Sequence, residues 1–150
     1  MRRDSRLSVA LHVLLHLSEA PEPVTSEFLA PRMKTNPVVF RRTLAGLRDA
    51  AIVRSEKGHG GGWSLARSLA AITLADVYAA LGVTSPFSIG HRNAEPTCLL
   101  EQAANRAIGG ALAEVEALFL ARLRGITLAE VLADAGRKAH RHTRKAVALA

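Results

Sequence analysis

The chain has little cysteine, few aromatic residues and no long apolar run, and each shortage excludes something. Cys98 is the sole cysteine among 150 residues. One thiol forms no intrachain disulfide, and it cannot supply a zinc or iron–sulfur site unaided. Aromatic residues make up 4% of a chain in which alanine and leucine dominate, a composition that favours helices over sheets. The most apolar stretch near the start, residues 9–17 (VALHVLLHL), is too short to span a bilayer and contains His12 and His16. The opening MRRDSR is basic but is not followed by a long apolar stretch ending in a small-residue cleavage site. The expectation is a cytoplasmic protein without a membrane partner. Also missing are a glycine-flanked nucleophilic serine, an HExxH pair and a phosphate-binding loop, so no enzyme is expected.

What is present is positive charge, unevenly placed. The length suits one domain with one sizeable core. The formal net charge is +7. Residues 31–67 carry eight basic groups against two acids, and residues 137–150 carry five basic groups and no acid; the two remaining stretches, 1–30 and 68–136, are each net negative. A cationic segment inside a folded domain is the footprint of a polyanion binder, and a solvated surface with surplus arginine is the alternative.

Periodicity organises that segment. Residues 7–17 read as a helix buried around most of its circumference, with a polar line through Ser5, Ser8, His12 and His16, ended by Pro21 and Pro23. Thr25 or Ser26 caps a second helix to Met33. After the polar Lys34-Thr35-Asn36 turn, Asn36 caps a third helix with Pro37 at its first position, running to about Asp49. Phe40, Leu44, Leu47 and Ala51 face the core, which leaves Val38, Arg41, Arg42 and Ala45 toward the opposite side. Two short helices joined by a tight turn, with arginines opposite the core stripe, make a helix-turn-helix, although this turn lacks the glycine some such motifs have.

The stretch EKGHGGGWSL (56–65) follows a short strand at 52–55 and holds four of the eleven glycines and the lone tryptophan. A phosphate loop requires lysine followed by serine or threonine at a helix start. Here Lys57 precedes the glycines and a strand follows them. A dinucleotide fingerprint would require glycine at 63, where Trp63 stands. The remaining reading is a β-hairpin tip of Gly58, His59, Gly60, Gly61 and Gly62, flanked by Arg54, Lys57 and Arg67, with Trp63 holding it to the domain or, as the alternative, contacting a base. The fold expected is mainly α: a winged helix-turn-helix with a two-stranded β wing.

Beyond the wing, ITLADV (72–77) and ITLAEV (126–131) are capped helix starts of the Thr-x-x-acid kind. The first opens a helix at 73–81. Residues 82–97 are rich in turn formers. A long helix then runs from Cys98 to about Arg124, with apolar positions at Leu100, Ala104, Ile108, Ala111, Leu112, Val115, Phe119 and Leu123. So small a domain cannot bury that length, and the natural partner is the same helix of a second copy. Gly109-Gly110 would allow a close crossing there. The organisation expected is a DNA-binding domain at 1–81, a sensing loop at 82–97, a dimerisation helix and short following helix at 98–136, and a basic tail at 137–150.

The string NPVVFRRTLAGLRDAAIVRSEKGHGGGWSLARSLAAITLADVYAAL (36–81) resembles the Rrf-two (Rrf2) family of bacterial transcription regulators. That family includes the iron–sulfur cluster assembly, nitric-oxide-sensing and cysteine metabolism repressors. The basic-GxGGG-aromatic wing, the LAR after it and ITLADV carry the resemblance, which extends over about 5–134. It implies a homodimeric winged-helix repressor, with helix 37–49 in the major groove of double-stranded DNA and the wing 57–62 in the minor groove. By this reading Val38, Arg41, Arg42 and Ala45 lie toward the bases, Arg48, Arg54, Lys57 and Arg67 toward phosphates, and Gly58 to Gly62 form the wing.

Three departures qualify it. His59 stands where many relatives have proline. Arg41-Arg42 replace a common Glu-Gln pair, so the operators of relatives do not transfer: arginine reads guanine or phosphate. Cluster-binding relatives carry three cysteines near the long helix, and here only Cys98 matches. No iron–sulfur cluster is therefore expected. Cys98, at a helix N-terminus, is the candidate for sensing an oxidant or a small-molecule effector, or is a small structural residue. His12 and His16, four apart, have zinc-compatible spacing but no third ligand near in sequence, and are taken as ordinary surface histidines, with no metal site. A nonspecific nucleic-acid-binding or architectural protein is the alternative function, and an adaptor that lost DNA recognition a third.

Overall fold

A computed structural model describes residues 5–83, 86–87 and 97–147, and side chains in all of these except Pro37 and residues 138–147. The order of elements is α1 (Arg6–Glu19), α2 (Ser26–Met33), α3 (Pro37–Asp49), β1 (Val53–Glu56), β2 (Gly62–Leu65), a 3-10 turn (Leu69–Ala71), α4 (Leu74–Ala80), α5 (Leu99–Arg124) and α6 (Leu128–Val147). The fold is the expected one: mainly helical, with one antiparallel hairpin pairing Val53 with Leu65 and Glu56 with Gly62.

The core explains the arrangement. Ala10, Val13, Leu14 and Leu17 project from one side of α1. They belong to a single buried cluster with Leu29 and Met33 of α2, Phe40, Leu44 and Leu47 of α3, Ile52 and Val53 at the wing root, and Val77 of α4. Apolar residues three and four apart on each helix give it one buried side. Thr25 caps α2, its Oγ1 accepting from the Phe28 N–H at 3.3 Å. Asn36 caps α3, Oδ1 accepting from Val38 at 2.8 Å, and Pro37 follows at the first turn.

The turn between α2 and α3 does without glycine because Lys34 itself takes the left-handed conformation (φ 45°), unusual for a residue with a Cβ. Gly46 serves elsewhere. A Cβ there would collide with the Ala80 carbonyl, so its lack of a side chain lets α4 lie close against α3. Ala51 departs from expectation. It lies beyond the end of α3 with φ 52° and is exposed, not in the core. The helical repeat does not extend past Asp49, where the chain reverses toward the wing.

The two ITLA segments were separate helix starts in the sequence; in space they are adjacent. Leu74 N donates to Ile126 O at 2.9 Å, and Leu128 N donates to Ile72 O at 2.9 Å. Thr73 and Thr127 thus face each other in an isolated antiparallel bridge, and α5 and α6 are clasped to the domain at their junction. Thr73 and Asp76 exchange both bonds of a capping box, at 2.9 and 3.1 Å. Thr127 and Glu130 repeat it at 2.7 and 3.3 Å. The helix after Thr127 is not short: it continues to Val147, through most of the segment set apart as a basic tail.

Candidate nucleic-acid interface

The candidate reading surface is built outward from the core of α3. Phe40, Leu44 and Leu47 are fully buried. At helical spacing that forces Val38, Arg41, Arg42 and Arg48 outward: Val38 is 54% exposed, the three arginines are exposed, and Ala45 is half-buried between them. Arg41 and Arg42 pair with no other described residue, whereas Arg48 bonds its neighbour Asp49 at 3.0 Å.

The wing is fixed to α3 by backbone bonds. Ile52 N donates to Leu47 O at 2.9 Å, and Ala66 N to Ile52 O at 2.9 Å, so the end of the reading helix and the foot of the hairpin are one hydrogen-bonded unit. A second anchor lies across the hairpin. Val24 and Trp63 exchange backbone bonds at 2.9 and 2.8 Å, and the Trp63 indole N–H donates to Ser26 Oγ at 3.0 Å. Trp63 therefore holds the wing to the segment before α2, as its size predicts. Gly62 permits this approach: a Cβ there would stand 2.8 Å from the Val24 backbone. At the tip, Gly61 N closes on Gly58 O at 3.0 Å, and Lys57, Gly58, His59 and Gly60 are exposed.

The flanking cations divide. Lys57 makes no bond to any described residue. Arg54 donates to Ser64 Oγ at 3.0 Å and lies 3.6 Å from Glu56, so it is ordered along the hairpin. Arg67 is engaged differently from what its sequence position suggests: its guanidinium is bonded to the Ala71 carbonyl and lies 3.6 Å from Asp76. There it braces the start of α4. The Thr73 backbone N–H bonded to Asp76, with the Thr73 hydroxyl and the Arg67 charge beside it, holds that carboxyl below its ordinary pKa.

Cys98 is the N-cap residue of α5 and is exposed. Its sulfur caps no N–H outright, yet the N–H groups of Glu101 and Leu100 favour the thiolate and hold its pKa below the ordinary thiol value. Residues 88–96, most of the expected sensing loop, lie outside the described residues, as does His91 with its neighbours. Among the described residues no three or more histidine, cysteine or acidic side chains gather as a metal site, and no helix is long and apolar enough to cross a membrane.

Sequence reasoning missed the division of labour on α5. Phe119 packs edge-on to Tyr78 (centroids 5.7 Å apart), and Leu123 is buried against the domain. A different row, Leu100, Ile108, Val115 and Leu118, remains exposed, Leu100 at 82% and Leu118 at 72%. Leu118 could have been found by counting the alternating three- and four-residue steps from Ile108 through Ala111 and Val115.

Residues 3–134 match the family described as "Rrf2: Iron-dependent Transcriptional regulator". YwnA of Bacillus subtilis, named as an HTH-type transcriptional regulator, is 39% identical over 95 residues, which are 63% of this chain and 70% of YwnA. A crystal structure titled as a DNA binding protein superposes with a TM-score of 0.66 at 30% identity, covering 85% of this chain and 99% of the other. A Lactobacillus plantarum structure, named as a transcriptional regulator, reaches a TM-score of 0.74 at 22% identity over 95% of this chain and 98% of its own, a likeness of fold.

Proposed function

The chain belongs to the Rrf2 family of DNA-binding transcription regulators, which are not enzymes, and on that premise we propose a homodimeric, sequence-specific repressor of the cytoplasm. The observation that carries the reading is the pair Arg41 and Arg42, exposed and unpaired among the described residues, on a helix bonded directly to a glycine-tipped wing. A helix fits the major groove, and arginine there matches the two acceptors of guanine. Arg41 and Arg42 read bases, with Val38 and Ala45 against them. Lys57 and the tip Gly58 to Gly62, His59 included, follow the adjacent phosphates and minor groove. Arg48 and Arg54, each already paired, position the backbone contacts. Arg67, braced against Asp76, orders α4.

The exposed row Leu100–Ile108–Val115–Leu118, filled in by Ala104 and Ala111 to steps of three and four, is the proposed dimer seam, since such apolar spacing along a helix suits a second helix. Two copies would present two reading helices to two half-sites.

The family description includes iron, but the donor set here does not fit an iron–sulfur cluster: such clusters need several thiolates, and this chain has one cysteine. The effector site we propose is Cys98, exposed and thiolate-biased at the head of the seam helix, with an oxidant or a thiol-reactive small molecule as the signal.

Genome-wide recovery of DNA bound by the wild type, Arg42→Ala and Cys98→Ser, with and without a thiol oxidant, tests these assignments. The wild type gives a two-half-site consensus. Arg42→Ala loses about 1–3 kcal/mol of discrimination at one position per half-site. Oxidant changes occupancy in the wild type and not in Cys98→Ser. An unchanged consensus in Arg42→Ala overturns the reading face. Salt-sensitive binding without any consensus indicates a nonspecific architectural protein instead.

A further inference from the structure

We propose that His12 and His16 form a binding site for a divalent transition-metal ion of the zinc or nickel class on the outer face of α1. By sequence the pair is merely compatible with zinc. The structure adds the geometry: the two Nε2 atoms face each other at 3.1 Å, with ring centroids 4.7 Å apart. An ion bound at the usual ~2.0–2.1 Å to both nitrogens would subtend a N–metal–N angle of about 95–102°, between the octahedral and tetrahedral values. The two nitrogens already stand at a chelating separation. Each coordinating nitrogen must carry a lone pair, so each neutral ring holds its proton on Nδ1 when the ion is bound.

The mounting is rigid. Ala10, Val13, Leu14 and Leu17 fix the opposite side of the same helix in the core, so the two Cβ atoms cannot drift apart. The electrostatics suit a cation. The polar line of α1 runs Ser5, Ser8, His12, His16 and Glu19, without lysine or arginine. His16 and Glu19 border one shallow cleft of about 470 Å³ beside Phe28. Among the described residues no third protein ligand is gathered with the pair, so water completes the coordination and the ion exchanges with solvent. Imidazole donors favour zinc, nickel and copper over magnesium or calcium. The site shares no residue with α3 or the wing, so it stands or falls independently of the DNA-reading assignment.

The test is calorimetric titration of the full-length, chelator-stripped chain with Zn2+, repeated with Ni2+. One ion per chain is expected at a site whose affinity falls tenfold or more in His12→Gln and again in His16→Gln. It is unchanged in Arg42→Ala, in Cys98→Ser and in the His140→Gln/His142→Gln chain. Saturating Zn2+ raises the melting temperature of the wild type and of neither α1 variant. His12 is exposed and His16 only half-buried, so both variants should keep the wild-type helical circular dichroism, which the same samples report. Absence of binding, or binding undiminished in both α1 variants, overturns the proposal and leaves the pair as a hydrogen bond between rings.

Discussion

Helices α3 and α5 each leave one face uncovered, and the two faces are chemically opposite. On α3 a fully buried stripe of Phe40, Leu44 and Leu47 has arginines at its back. Among the described hydrophobic residues of α5, Phe119, Leu120 and Leu123, near its C-terminal end, pack against the core, while leucines at 72–82% exposure occupy the other side. Exposed charge is stable in water and awaits a polyanion. Exposed leucine forgoes about 25 cal/mol for each Å² left in water and awaits another apolar surface. The difference separates a surface that suits a polyanion from one that suits a second apolar face.

That contrast can be broken experimentally. The largest effect should come from Leu44→Ala, which empties the α3 core and costs about 2–5 kcal/mol of unfolding free energy. Leu118→Ala, by comparison, should change the stability of the isolated chain by under about 0.5 kcal/mol; denaturant melts below the dimer's dissociation concentration measure both. Next is Val115→Glu with Leu118→Glu. Sedimentation should show a monomer of unchanged helicity, and operator affinity should fall about a hundredfold, equivalent to about 2.7 kcal/mol, because only one half-site is held at a time. Smaller again is Lys57→Ala. It should weaken all DNA sequences alike and reduce the slope of log K against log salt by about 0.9 per half-site, as measured by anisotropy titration.

The smallest effect concerns Asp76. Its folded pKa is depressed, so its stabilising contribution is present above the ordinary aspartate value of about 3.9 and disappears as pH falls through the lower folded value. Partial exposure and screening limit it to under about 1 kcal/mol. Melting curves of the wild type and Asp76→Asn should differ at pH 6 and converge toward pH 3.

The winged helix was legible because local signals agree with tertiary ones. Asn36-Pro37, Thr-x-x-Asp and the four-three spacing of Phe40, Leu44 and Leu47 each specify one conformation, and the glycines followed by tryptophan specify a hairpin and its anchor. What escaped depended on contacts far apart in the chain. Arg67 reads as a wing cation until α4 brings Asp76 to it. Ala51 continues the apolar spacing of α3, but the helix has ended. Leu118 and Phe119 are neighbours in sequence, and only the position of Tyr78 decides which turns inward. The left-handed Lys34 has no local signature at all.

The clasp between Ile72–Leu74 and Ile126–Leu128 secures the C-terminal extremity of α5. From that tether beside α4 the helix extends to Cys98, about 39 Å away at 1.5 Å per residue. In the proposed dimer, the partner that grips α5 would set the azimuth of both reading heads through that tether. On the dimer reading, deleting one residue between Leu118 and Leu123 would turn each head by roughly 100° relative to the partner helix, and the permitted gap between operator halves would follow from the length of this beam.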